Sequence, residues 1–117
     1  FPGNDVVDVV AVSAYNFGAC YPGGEWQTFD VMARSYLDRA RNFGKPVWLD
    51  TGTLEAGGDK DAWLRDLFDQ ARAYPLQGVL YFNLVTESMA TLPYCPNPDY
   101  RLRVPGTSRW QGFADSF

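Results

Sequence analysis

Three short apolar runs recur along the chain, VVDVVAV at 6–12, PVWLD at 46–50 and QGVLYFNL at 77–84, and a stretch of helical periodicity separates each from the next. That alternation constrains the fold more than any other feature. In the first interval, DVMARSYLDRARNF at 30–43 brings Ala33, Tyr36, Leu37 and Ala40 onto one face, and Gly44 is placed to end the helix. In the second, Asp59 is a ready N-cap for a helix running to Ala73, with Leu64, Leu67, Phe68 and Ala71 as its apolar stripe. Asp61 and Arg65 are spaced to pair across one turn, and Pro75 closes the element. Strands joined by helices run parallel with right-handed crossovers, so the pattern predicts an α/β fold. The first run is almost wholly β-branched, as expected of a strand buried on both faces of such a sheet.

The third run leads into a loop at 85–105 that holds Pro93, Pro96, Pro98 and Pro105. Its length makes it either functional or an elaboration rather than a mere connection. Beyond it, Ser108 and Gln111 have the spacing of a capping box, and Trp110 and Phe113 fall on one helical face. The chain therefore reads as three consecutive βα units in one domain, which its 117 residues suit.

Several function classes drop out. A net charge of −4 argues against nucleic acid, whose phosphates need a basic surface, and against adsorption to an anionic membrane. No run approaches the roughly 18–20 apolar residues that span a bilayer. The chain has no His, which excludes Ser-His-Asp and Cys-His catalysis and His metal ligation. Cys20 and Cys95 are too few for a zinc site. They stand either as two free thiols or as a disulfide between two loops, the latter implying an oxidising compartment. Gly57-Gly58 precedes a helix but lacks the Lys-Ser/Thr ending of a P-loop and the spacing of a dinucleotide fingerprint. No metal and no cofactor is predicted. The opening FPGNDVVD, with no initiator Met and no signal-peptide pattern, reads as internal to something longer.

In parallel α/β folds function gathers at the C-terminal ends of the strands. Here those ends are Ser13-Ala14-Tyr15-Asn16, Asp50-Thr51-Gly52-Thr53 and Phe82-Asn83, each polar or aromatic directly after an apolar run. Asp50 is the central question. A carboxylate there can act as nucleophile or general base, or it can cap the following turn through backbone N–H bonds. Tyr15 is either a core residue with a wet hydroxyl or a hydrogen-bond donor to a neighbouring carboxylate. Trp63 and Trp110 lie on predicted helices and read as packing, whereas Tyr21 and Trp26 lie in a loop on the functional side. There they suit stacking on the C–H faces of sugars, or anchoring of the loop itself. Glu25, Glu55 and Glu87 are the other loop carboxylates, most of them expected to be solvated.

Several stretches, in order, resemble the C-terminal part of glycoside hydrolase family 26, the β-mannanase and related endoglycanase group. PGNDVVDVVAVSAYNFG resembles the family segment P-G-D-x-Y-V-D-W-V-G-I-D-G-Y-N-W-G, and EWQTF its following W-x-S-F. GKPVWLDTGTLEAGGDKDAWLRDLF is similar to G-K-P-V-M-I-A-E-T-G-S…G-G-D-K-x-x-W-I-x-D. VLYFNL resembles V-x-W-F-N, and YRLRVPGTSRWQGF resembles the closing D-W-R-x-x-S…F. The resemblance implies a (β/α)8 TIM barrel of which this chain supplies strands six to eight. It also implies a retaining endo-acting hydrolase of a β-1,4-linked polysaccharide such as mannan, with two Glu residues as acid/base and nucleophile. Reading back from GGDK without a gap, the nucleophile position falls on Asp50, and Tyr15 falls on the Tyr that hydrogen-bonds it. Ser13 replaces an Asp, and Tyr81 stands where the family has a Trp that forms the sugar-binding floor. Asn16, Trp26, Tyr81 and Asn83 are thereby expected as sugar contacts.

Aspartate stops about 1.5 Å short of glutamate, one C–C bond, and a misplacement of roughly 1 Å can cost on the order of 100-fold. Activity then requires the backbone or the sugar to move closer. The acid/base carboxylate belongs to the part of the barrel outside these residues, so the fragment alone is expected to be inactive. Its expected partners are a polysaccharide or oligosaccharide and the remainder of the barrel or a second copy. The resemblance also implies secretion or an extracellular setting. Two alternatives follow from the same residues: a catalytically impaired carbohydrate-binding relative, and a structural α/β piece of a larger assembly.

Overall fold

A computed structural model describes residues 1–87 and 92–102. Among them, strands β1 (Val10–Asn16), β2 (Val47–Thr53) and β3 (Gly78–Tyr81) alternate with helices α1 (Phe29–Arg41) and α2 (Lys60–Ala73). The sheet order is β1-β2-β3, and both pairings are parallel. The third helix expected around Trp110 and Phe113, with Ser108 and Gln111 at its start, lies outside the described residues.

Each helix starts where a side chain can take up an orphan N–H. Thr28 accepts from the Val31 N–H ahead of α1, and Asp59 accepts from the Ala62 N–H ahead of α2. Phe29, Ala33, Leu37 and Ala40 bury the inner face of α1, while Tyr36, expected in that stripe, is 47% exposed beneath the Arg39 guanidinium. Lys60, Trp63, Leu64 and Leu67 bury that of α2. Both helices cover one side of the sheet, packing on Val12, Ala14, Val47 and Leu49. Phe29 meets Trp63 edge-on at 5.3 Å between them. Asp61 and Arg65 do not pair; Asp61 Oδ1 is buried with no hydrogen-bond partner among the described residues.

The strands differ from expectation in ways that move the site. β1 begins at Val10, not Val6. Val6 and Val9 are 71% and 45% exposed, and the Val6 N–H closes a turn onto the Gly3 carbonyl. Propensity favours a strand there, but pairing begins only where the Val10 N–H reaches the Pro46 carbonyl and Val10 registers with Val47. β1 is also not buried on both faces: Val12, Ala14 and Asn16 are buried, while Ala11 and Ser13 are exposed. β2 runs three residues past Asp50, since Thr51, Gly52 and Thr53 pair with Ala14, Tyr15 and Asn16. β3 is shorter than the apolar run that encodes it and stops at Tyr81.

Candidate functional site

The site begins from register. Ser13 and Asp50 are direct partners across β1 and β2. Side chains alternate along a strand, so Ser13, Tyr15 and Asp50 share the face away from the helices. Asp50 is therefore a mid-strand residue projecting from an uncovered sheet face, not a strand end. It caps no turn. Its Oδ1 accepts a 2.7 Å hydrogen bond from the Tyr15 hydroxyl, and its Oδ2 a longer one, 3.3 Å, from the Ser13 hydroxyl. Burial raises the Tyr15 pKa well above the usual phenol value, and the hydrogen bond to Asp50 and its charge add to the rise. The hydroxyl thus stays a donor to the carboxylate at any physiological pH.

Tyr15 is held by other rings. It meets Phe82 at 6.3 Å and Tyr100 at 6.1 Å, both edge-on, and lies parallel to Phe17 at 6.1 Å. Phe82 and Tyr100 are edge-on at 5.2 Å. Gly52 makes room: a Cβ there would stand 3.0 Å from Tyr100 and 3.1 Å from Tyr15. Tyr15, Phe17, Phe82, Thr86 and Tyr100 line an open pocket of about 230 Å³. On the same uncovered face, the Trp48 ring crosses Gly78, where a Cβ would come within 2.8 Å of it.

The segment that brings Tyr100 is tied down at several points. Cys20 and Cys95, left open by the sequence, form a disulfide across 75 residues with their Cα atoms 5.1 Å apart. Val85 and Asp99 form an antiparallel bridge, and the Tyr100 N–H bonds the Leu84 carbonyl. Arg101 grips both oxygens of Asp99 and holds its carboxyl below the usual range. Lys60, 1% exposed, donates to the Asp99 carbonyl at 3.3 Å. Burial pushes its ammonium down to a pKa of about 8.

The four expected sugar contacts do not gather at Asp50. Asn16 is buried and occupied, donating to the Gln27 carbonyl and accepting from the Gly18 N–H, so it clamps the loop after β1. Trp26 packs over Gly57 and Gly58, where a Cβ on Gly58 would fall 2.1 Å from its ring. This also accounts for the glycine pair without any phosphate. Tyr81 lies on the helix side of β3, packed against the main core, and its hydroxyl accepts from the Thr53 N–H. Asn83 accepts from the Leu102 N–H and fixes the returning segment. One residue along, Phe82 lies on the open face against Tyr15.

The sequence marks Phe82 only as part of a strand end, without a partner, and Tyr100 has no signal in it, because the Val85–Asp99 bridge that returns the loop beside Tyr15 is a long-range contact. The burial of Lys60 has no single-residue signal. Among the described residues, no group of three or more His, Cys, Asp or Glu side chains could hold a metal, and no helix is long and apolar enough to cross a membrane.

No family model matches the sequence. Over 75 residues it is 32% identical to Endoglucanase H of Acetivibrio thermocellus, an alignment that takes in 62% of this chain and 8% of that protein. The chain thus corresponds to less than a tenth of that relative's length, and the shared stretch is a glycosidase-related segment.

Proposed function

We propose that the chain is the C-terminal part of a retaining, endo-acting glycoside hydrolase for a β-1,4-linked polysaccharide such as mannan, with Asp50 as nucleophile. The observation that carries the reading is the 2.7 Å hydrogen bond from Tyr15 to Asp50 on the open face of a parallel sheet. Retention needs two carboxyl groups about 5 Å apart, one attacking the anomeric carbon and one protonating the leaving oxygen. Asp50 supplies the first. Tyr15 immobilises Oδ1, so the more loosely held Oδ2 is the attacking atom. The acid/base belongs to the rest of a (β/α)8 barrel, whose interior the uncovered face of Ala11, Ser13, Trp48, Asp50 and Leu80 would line. The disulfide agrees with an extracellular setting.

The test is reducing-sugar release from β-1,4-mannan by the complete protein. Asp50→Ala should lower it by about three orders of magnitude or more, as loss of a nucleophile does. Tyr15→Phe should lower it by about 10- to 100-fold, through loss of one oriented hydrogen bond. Hydrolysis unchanged in Asp50→Ala would sink the assignment. The shorter Asp side chain at this position favours a second reading, a carbohydrate-binding relative that no longer cleaves. The same assay separates them, because such a protein is retarded by the polysaccharide in an affinity gel and releases no sugar.

A further inference from the structure

The backbone at 98–100 alternates in where it points. The Pro98 carbonyl accepts from the Thr86 N–H and the Tyr100 N–H donates to the Leu84 carbonyl, so both face the 84–86 segment. Asp99, paired with Val85 between them, turns its own carbonyl the other way, as alternate residues of an antiparallel pair do. There it meets Lys60, which reaches it at 3.3 Å from the first turn of α2. The segment is thus gripped from two sides, with Tyr100 at the junction. The Tyr100 ring is 2% exposed and stands edge-on to Tyr15 at 6.1 Å. Tyr15 in turn gives its hydroxyl to Asp50. A displaced Tyr100 would therefore displace the ring that orients the carboxylate.

Stability alone does not account for a lysine here. The ammonium is almost fully buried at the N-terminus of a helix, where the dipole disfavours a cation. Arg101 already holds both oxygens of the Asp99 carboxylate, so Lys60 meets the segment at a backbone carbonyl. Its pKa falls to about 8, chiefly through desolvation. A buried cation held in this way costs the fold more than one hydrogen bond returns. Residues that break a stability rule concentrate where function needs them. We infer that Lys60 is a positioning residue for Asp50: by fixing the Asp99 carbonyl it sets Tyr100 against Tyr15, and Tyr15 against the carboxylate. This rests on the reading of Asp50 as nucleophile and gives that site a support from α2, on the far side of the sheet.

Lys60→Met in the complete protein separates support of the site from support of the fold. The denaturant midpoint should rise. On β-1,4-mannan kcat should fall by about 10- to 100-fold with KM unchanged, the effect of a misplacement of roughly 1 Å. A midpoint that falls marks Lys60 as a plain anchor of the fold and overturns the inference, as does an unchanged kcat or a loss confined to KM. A second measurement needs no substrate. The ring-proton shifts of Tyr15, assigned with Tyr15→Phe, should move in Lys60→Met, because Tyr100 stands edge-on to that ring. Shifts that move in a protein that releases no sugar support the placement of the rings by Lys60 and count against the hydrolase reading alone. Shifts that stay overturn the inference, whatever the hydrolysis.

Discussion

Beneath α1 and α2 the sheet presents Val12, Ala14, Val47 and Leu49, all buried, whereas the opposite face of the same strands presents Ala11 and Ser13 in the open, Trp48 and Asp50 half-buried, and Leu80 55% exposed. Alternate residues of one strand thus serve different ends. Leu49 is fully buried, and its neighbour Asp50 holds two hydroxyls on the far side. Cohesion is concentrated on the covered side. The open side keeps its order by hydrogen bonds, edge-on rings and a cross-link between loops.

The comparison is sharpest under substitution. Loops on the open side depend on the Cys20–Cys95 bond, which spans 75 residues. Replacing both with Ala should cost about 4 kcal/mol by the loop-closure relation, read as a drop in the denaturant midpoint. A loss below about 1 kcal/mol would mean that the other tethers of the segment suffice without it. On the covered side, Leu49→Ala should cost about 3 kcal/mol, since it leaves a cavity under two helices.

Lys60 is the exception on the covered side, a cation at the helix N-terminus, where the dipole also disfavours it. Its pKa is about 8 in the fold against 10.5 for the free side chain. Between those values the unfolded chain binds more protons than the folded one, so stability should rise with pH from about 8. Tyr15, Tyr81 and Tyr100 act in the opposite sense above 10, because burial keeps their hydroxyls protonated in the fold while the unfolded chain ionises. The stability maximum is therefore expected on the alkaline side of neutrality, between those two limits. Lys60→Met should gain about 2 kcal/mol at pH 7, after about 1 kcal/mol for the lost Asp99 bond is subtracted, and should flatten the rise. Chemical denaturation at a series of pH values reads both. The smallest effect belongs to the open face: Leu80→Ala should stay within about 0.5 kcal/mol in the isolated chain. A large loss there would mean that the face is covered, by a second copy for instance, and sizing would reveal it.

Much of this was legible beforehand in the helices. The Asp59 cap and the spacing of Leu64 and Leu67 placed α2 to within a residue, because caps and stripes are local. The Tyr15–Asp50 pairing came with the family resemblance, and the register of β1 on β2 gives it a physical basis. Strand limits were not legible. VVDVVAV has strand propensity throughout, yet only its second half meets a partner. QGVLYFNL stops pairing after Tyr81, which sends Tyr81 to the core and leaves Phe82 beside Tyr15. The resemblance implies Asn16 and Trp26 as ligand contacts, whereas their partners are loop residues that sequence spacing does not reveal.

Mid-strand placement of Asp50 has a mechanical consequence. Seven consecutive register pairs hold β2 against β1, and Asp50 is the fourth. Sliding that backbone toward a ligand would break bonds on both sides of it, so the mount beneath the carboxylate is stiff. A carboxylate on a loop could lean inward toward a ligand; one mounted on this strand cannot. In the proposed reaction the sugar would have to descend to the sheet, and the depth of its seat, rather than the reach of the side chain, would decide whether the bond is cut.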